Sequence, residues 1–396
     1  MSFSLNRELD ELVNKLSTVK KIGFFFGAGS SMALNMPGIF KLTEDILIGI
    51  NSRNNIKDLL IQVDKEKCGK STIEDILNKI RVIRELTRDM EDYSYLGING
   101  KMAKELDEEI CNFIYDILSS KEEEIVLDKD IFNIPKKFFV WYNNINCENT
   151  KEIFTANYDL LFERSMESLS IPYFDGFVGA HRPFFFQESV EDIHKNITMP
   201  CEWIRLWKIH GSLGWFWEEI DNKYRVVRLG ANSKKDNKNE LVIYPSKDKY
   251  QSSRKQPFIS YFDRLKSYLS DGEGVFIVSG YSFADEHIND VFYESLRKNP
   301  RMHVIVMFFE DQLLDNIQDK IVLYPNITVY CPSKVCLGGK IEDWGIENDK
   351  LKENGYDQYL AGNKLKIGDF KVLVEFLVNN SGRKRELLEE VGVSVE

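Results

Sequence analysis

The segment Lys20–Ser31, KKIGFFFGAGSS, limits what this chain can fold into more than any other stretch. Ile22–Phe26 is an apolar run of strand length, bulky and aromatic, preceded by two lysines. A strand apolar at every residue is buried on both faces, which is the habit of parallel strands in α/β proteins. It runs directly into Gly27-Ala28-Gly29 and then Ser30-Ser31. Glycines at that point let the chain reverse with bare backbone N–H groups. If a helix opens at Ser30 or Ser31, those groups and the helix dipole predict an anion site, with phosphate the usual occupant. The pattern is not the G-x-G-x-x-G dinucleotide fingerprint, because Met32 stands where the third glycine belongs. Gly-x-Gly after a strand also serves as an ordinary tight turn, so the loop alone leaves both readings open.

With 396 residues the chain can bury a large core, as one elaborated domain or as two. A formal net charge of −11 argues against a general nucleic-acid-binding surface. Cys68, Cys111, Cys147, Cys201, Cys331 and Cys336 are scattered, and no two form Cys-x-x-Cys. That spacing predicts reduced, buried thiols and argues against a four-cysteine zinc site. The opening MSFSLNRELDEL lacks the apolar core of a signal peptide. No apolar run approaches the ~20 residues that span a bilayer. The expectation is a soluble, cytoplasmic protein.

Leu5, Leu9, Leu12, Val13 and Leu16 recur at helical spacing ahead of the first strand. From about residue 45 to 149 the pattern is helical throughout, with no second glycine loop. Ser71/Thr72 followed by Glu74/Asp75 predicts a capping box, and Ile73, Ile76, Leu77, Ile80 and Ile83 its buried stripe. This stretch reads as a helical subdomain inserted into an α/β core. Strand character returns at Lys151–Thr155 and delivers Thr155-Ala156-Asn157-Tyr158-Asp159. Asn and Asp there are ordinary helix caps, but the carboxyl end of a strand is also where open α/β sheets bind ligands. Arg205–Ile209 predicts another strand, ending in His210-Gly211-Ser212. Val275–Ser279 predicts the next, followed by Gly280-Tyr281-Ser282, with Ser282 and Asp285 as a capping box for a helix through His287. Met302–Phe309 and a short last strand at Ile327–Val329 complete a parallel, doubly wound sheet. Residues 331–396 read as an extension for assembly or packing, with a helix at Phe370–Val378 and a charged tail from Arg383.

GAGSS, MPGIF, TANYD, HGS and SGYS, in this order, resemble the sirtuin fold, and more closely the sirtuin-like proteins of bacterial antiphage defence. Gly27-Ala28-Gly29-Ser30-Ser31, Thr155–Asp159 and His210-Gly211 match sirtuin motifs, and Ser279-Gly280-Tyr281-Ser282 matches loosely. The likeness covers roughly residues 20 to 310 and implies a Rossmann-like NAD-binding domain over residues 1–330. Two departures stand out. Sirtuin deacylases carry two Cys-x-x-Cys pairs after His-Gly, whereas residues 211–274 here contain no cysteine and carry Trp215, Phe216, Trp217 and the run Tyr244–Tyr250. Met36-Pro37-Gly38-Ile39-Phe40 also lacks the Asp and Arg of the sirtuin loop. The expectation is therefore a fold without a zinc ribbon and without structural zinc, with protein deacylation placed in doubt.

By that resemblance the substrate is NAD+, and the reaction is hydrolysis to nicotinamide and ADP-ribose. Asn157 and His210 are the expected catalytic pair: Asn157 orients ribose or water, and imidazole takes a proton at cellular pH. Gly27, Ala28, Gly29, Ser30 and Ser31 would cradle the pyrophosphate, with Ser279, Gly280 and Ser282 as further contacts. Met36 and Phe40 would wall the nicotinamide, and Asp159 would support the loop or face the nicotinamide side. The family context implies a regulated NAD-depleting effector of abortive infection, homo-oligomeric, paired with a HerA-type ATPase. The alternatives are an NAD-dependent protein deacylase and a non-catalytic module that binds NAD or ADP-ribose.

Overall fold

The computed structural model describes residues 2–50, 56–88, 90–145, 150–191, 200, 202–221, 223–229, 241–243 and 256–392. The run Tyr244–Tyr250, Cys147 and Cys201 lie outside them. Within the described residues ten strands form the main sheet. In chain order they are β1 (Phe3–Ser4), β2 (Ile22–Phe26), β3 (Glu152–Thr155), β4 (Tyr173–Phe174) and β5 (Ile204–Lys208). The second half supplies β6 (Gly274–Ser279), β7 (Met302–Met307), β8 (Ile327–Tyr330), β9 (Lys334–Leu337) and β10 (Lys340–Gly345). Their spatial order is β1-β10-β9-β8-β7-β6-β2-β3-β5-β4. From β8 to β4 every neighbour is parallel.

The centre of the sheet is β2, with β6 on one side and β3 on the other. All five of its residues are buried, as the unbroken apolar run predicts. Alternation then sends its phenylalanines to opposite faces. Phe24 and Phe26 meet Phe138 edge-on at 5.0 and 5.2 Å, and Phe26 also meets Phe162 and Phe370 at 5.1 and 5.4 Å. Phe25 faces the other way, 4.9 Å from Tyr281 and 5.6 Å from Phe292. Fully burying one such ring is worth about 1.5–3 kcal/mol, so this strand anchors both layers of the core.

Helices cover both faces, as a doubly wound sheet requires. One face carries α1 (Leu5–Thr18), then α2 (Ala28–Met32) after the glycine loop, and α3 (Ile39–Ile50). The helical insertion follows as α4 (Lys57–Glu66), α5 (Ile73–Thr87), α6 (Gly100–Leu127) and α7 (Lys129–Asn143), with α8 (Leu161–Ser168) beyond β3. The other face carries α9 (Phe258–Ser270), α10 (Glu286–Lys298) and α11 (Asp311–Ile321). The capping box at α5 is made by Thr72 and Asp75, which hold each other's backbone N–H at 3.4 and 3.1 Å. The insertion is not helical throughout, because Ser94–Tyr95 and Ile98–Asn99 form a small antiparallel hairpin around Gly97.

The sheet does not end at Ile327–Val329. β9 and β10 form an antiparallel hairpin on β8, and β1 pairs with β10, so the main sheet crosses residue 330. Edge strands with charged residues such as Lys340, Glu342 and Asp343 carry no buried-strand pattern, which hid them in the sequence. Helices α12 (Phe370–Asn379) and α13 (Lys384–Val391) follow, and Phe370, Leu373 and Leu387 join the core around α7. The stretch from Arg383 is therefore largely helix rather than a charged tail. Immediately after His210 the chain enters a second, antiparallel sheet built from Gly211–Ile220, Lys223–Arg228, Leu241–Ile243, Phe177–Val178 and Phe184–Phe185. Trp215 in it is buried against Phe177 at 5.0 Å and Tyr261 at 5.8 Å. Cys111, Cys331 and Cys336 are buried thiols outside any disulfide, but Cys68 is exposed, contrary to expectation. Among the described residues no helix is long and apolar enough to cross a membrane.

Candidate functional site

Four neighbouring parallel strands, β6, β2, β3 and β5, end on one edge and place the candidate residues there. Thr155 pairs with Lys208, so Asn157 and His210 each stand two residues beyond a paired position on adjacent strands. Such strands lie about 4.8 Å apart. Asn157 and His210 are both largely buried.

The glycine loop is used differently from the sequence expectation. The helix opens at Ala28, two residues before Ser30. The N–H groups of Gly27 and Gly29 donate to the Ser279 and Gly280 carbonyls at 3.0 and 2.8 Å, and that of Ser30 donates to Gly27 O at 3.0 Å. Those amides are not bare. The glycines are needed for close approach: a Cβ on Gly27 would lie 2.5 Å from Gly280 O, and one on Gly29 2.8 Å from Gly280 Cα. Gly280 itself has φ +68°, and a Cβ there would lie 2.3 Å from Ser30 N. No L side chain fits that crossing without moving backbone.

On this floor sits a polar cluster. Asn157 Nδ2 donates to Ser30 Oγ at 3.0 Å and Ser31 Oγ at 2.8 Å. Both hydroxyl protons are already committed, Ser30 to Gly27 O at 2.8 Å and Ser31 to Asp159 Oδ2 at 2.6 Å. The serines can therefore only accept from Asn157, and this fixes which end of the amide faces them. Among the described residues the amide oxygen is left buried with no donor. Ser279 Oγ is likewise buried and partnerless. An unsatisfied buried acceptor costs about 1–3 kcal/mol, so its retention points to a donor from outside the protein. Asp159 is an internal brace, holding Ser31 and the Leu161 N–H at the start of α8. Asn157 is no helix cap.

His210 has a partner the sequence reading did not assign. Its Nε2 lies 3.1 Å from Asp285 Oδ2, while Asp285 Oδ1 accepts the His287 N–H at 2.9 Å and caps α10. Asp285, not Ser282, is the N-cap, and Ser282 is exposed. His287 is exposed in the first turn. Met36 is a core residue, 6% exposed, and Phe40 is 66% exposed at the start of α3, so neither is drawn into the Asn157 cluster. Among the described residues no group of three or more His, Cys, Asp or Glu is arranged to hold a metal.

Behind the site lies a buried acidic group that nothing in the sequence singled out. Glu122 of α6 accepts the Leu160 N–H at 2.6 Å, with Arg164 Nη1 at 4.0 Å. Lys208 reaches Glu163 at 2.9 Å and the Asp159 carbonyl. Burial first, and then the charge of Asp159, push the Glu122 carboxyl up to about 8. The folded protein thus keeps a proton that the unfolded chain releases near 4.5. Stability from this group is complete below that pH and is lost as pH rises through about 8. A displacement of this size is worth on the order of 3–5 kcal/mol. Burial raises Glu163 and Asp175 as well, so they add to the same slope. Thermal melts at pH 5 and pH 8 are expected to show a smaller loss of melting temperature for Glu122→Gln than for wild type. Equal losses in the two proteins would remove Glu122 as a source of the slope.

A family model described as a SIR2-like domain matches residues 151–330, which takes in Asn157, His210 and Asp285. A comparison with the curated proteins finds no match. Among solved structures, one titled "Structural Basis for the Mechanism and Regulation of Sir2 Enzymes" is similar at TM-score 0.42 and 11% identity, over 96% of this chain and 98% of that one. A Sir2 homologue mutant in complex with ADP-ribose is similar at TM-score 0.37 and 12% identity, over 79% and 98%. A Sir2 homologue in complex with NAD is similar at TM-score 0.36 and 12% identity, over 81% and 87%.

Proposed function

We propose that this site hydrolyses NAD+ to nicotinamide and ADP-ribose. The observation that carries the reading is the buried, donorless oxygen of Asn157, beside His210 in strand register at the carboxyl edge of the sheet. The SIR2-like match across these residues supports NAD as the substrate class. Nicotinamide leaves ribose C1 as a neutral molecule: the C1–N bond breaks, its electron pair returns to the ring, and a water oxygen bonds C1. The water gives up one proton. In this reading Asn157 Oδ1 accepts from a ribose hydroxyl or the attacking water and fixes its direction. His210 takes the proton. Ser30, Ser31 and Asp159 hold the amide of Asn157 in place. Gly27, Ala28, Gly29, Ser279 and Gly280 are assigned to the floor of the NAD site, Met36 to its backing, and Phe40 and Ser282 to its rim.

An unregulated NAD hydrolase would kill its own cell, so activity gated by assembly belongs to the proposal. Its setting would be an NAD-depleting antiphage effector, homo-oligomeric and partnered by a HerA-type ring ATPase. The test is chromatography of NAD+ incubated with the purified protein, with and without candidate activators. Equimolar nicotinamide and ADP-ribose are expected. Turnover that requires an acyl-lysine peptide would make the protein a deacylase, and tight NAD binding without turnover under every condition would make it a binding module.

A further inference from the structure

We propose that Asp285 is the positioning residue of His210, holding the ring proton on Nε2 so that Nδ1 is the nitrogen that takes the proton from water. This rests on the hydrolase reading above. Asp285 arrives from the end of β6 and His210 from the end of β5, with β2 and β3 between them. At about 4.8 Å per strand, the segment Gly280–Asp285 crosses roughly 14 Å of the sheet's carboxyl edge to make the contact. That crossing is built in. Gly280 and Phe283 both take left-handed backbone angles, φ +68° and +57°. The Tyr281 ring packs on Phe25, and its hydroxyl bonds the Asp285 carbonyl at 3.1 Å and Asn289 Oδ1 at 2.8 Å. Asn289 in turn donates to the Phe283 carbonyl at 2.8 Å.

The two carboxylate oxygens of Asp285 have separate tasks. Oδ1 faces the N–H groups of His287 at 2.9 Å and Ile288 at 3.5 Å, and Oδ2 faces His210 Nε2 at 3.1 Å. An ionised carboxylate only accepts, so Nε2 carries a proton and the lone pair of the neutral ring lies on Nδ1. When Nδ1 gains the water proton, the carboxylate faces the resulting imidazolium charge and stabilises it, the logic of an aspartate behind a catalytic histidine. Nothing else is consumed: the proton moves from water to Nδ1 and later to solvent.

Asp285→Asn separates these tasks. Asparagine is as good an N-cap as aspartate, so its oxygen stays on the helix N–H groups and its NH2 turns to His210. An NH2 donor requires the lone pair on Nε2, which moves the ring proton to Nδ1 and removes the base. The expected result is a melting temperature within error of wild type, a kcat lower by on the order of 10²–10⁴, and little change in KM. Ring-nitrogen NMR of 15N-histidine-labelled protein gives a readout independent of turnover. Wild type is expected to show the Nε2–H form for His210 and Asp285→Asn the Nδ1–H form. A wild-type ring protonated on Nδ1, or an Asp285→Asn protein with unchanged kcat, overturns the assignment. If the wild type consumes no NAD+ under any condition, the hydrolase reading fails while the ring spectra still decide whether Asp285 sets the tautomer.

Discussion

His210→Ala is expected to lower NAD+ consumption by on the order of 10²–10⁴ at an essentially native melting temperature. Removing a general base costs about that much when the remaining groups keep their places. The surroundings here would keep them. The neighbour of His210, Gly211, sets the turn into the second sheet through its own φ of +94°. Ile209 N–H remains bonded to Thr155 O at 2.8 Å, so β5 still ends in register with β3. Asp285 loses the imidazole but keeps α10 capped through Oδ1. The measurement is nicotinamide release by wild type and variant at matched melting temperature. A well-folded His210→Ala protein with near wild-type turnover would remove His210 from the chemistry.

The sheet was legible because two of its central strands carry unbroken apolar runs, a pattern that a parallel strand buried on both faces imposes. Ile22–Phe26 and Val275–Val278 are such runs, and their strands lie beside each other in the centre. The capping box at Thr72 and Asp75 was legible for the same local reason, since its partners are three residues apart. What escaped depends on long-range approach. Gly27 and Gly29 announce a loop that needs no side chain, but only the fold shows that Gly280, some 250 residues on, takes that space. His210 and Asp285 are 75 residues apart, and the crossing that joins them turns on a left-handed Phe283 that no propensity favours. Glu122 sits in the run Lys121–Ile125, where three glutamates in succession look like a solvated face. Burial at its one position makes it different, and that comes from the packing of α6 against the start of α8. Phe40 is the reverse case, an aromatic residue at the start of α3 that stands 66% exposed.

Asn157→Ala is expected to reduce turnover about 10²-fold, the cost of a nucleophile or ribose held in the wrong direction. Its effect on stability should be small, because two opposing changes meet at this side chain. The variant loses the hydrogen bonds to Ser30 and Ser31, each worth about 1 kcal/mol net. It also removes the buried oxygen that has no donor, which relieves a penalty of about 1–3 kcal/mol. The serine hydroxyls keep their own acceptors, Gly27 O and Asp159, so the loop stays braced. Asn157→Asp is expected to behave differently despite its closer shape. A carboxylate has no donor for the two serine oxygens, and it adds a charge near Asp159, so both folding and turnover should suffer. Melting temperature and steady-state NAD+ hydrolysis of the two variants separate the roles. If Asn157→Ala loses stability while its turnover matches wild type, Asn157 is a structural brace, and its buried oxygen is not waiting for substrate.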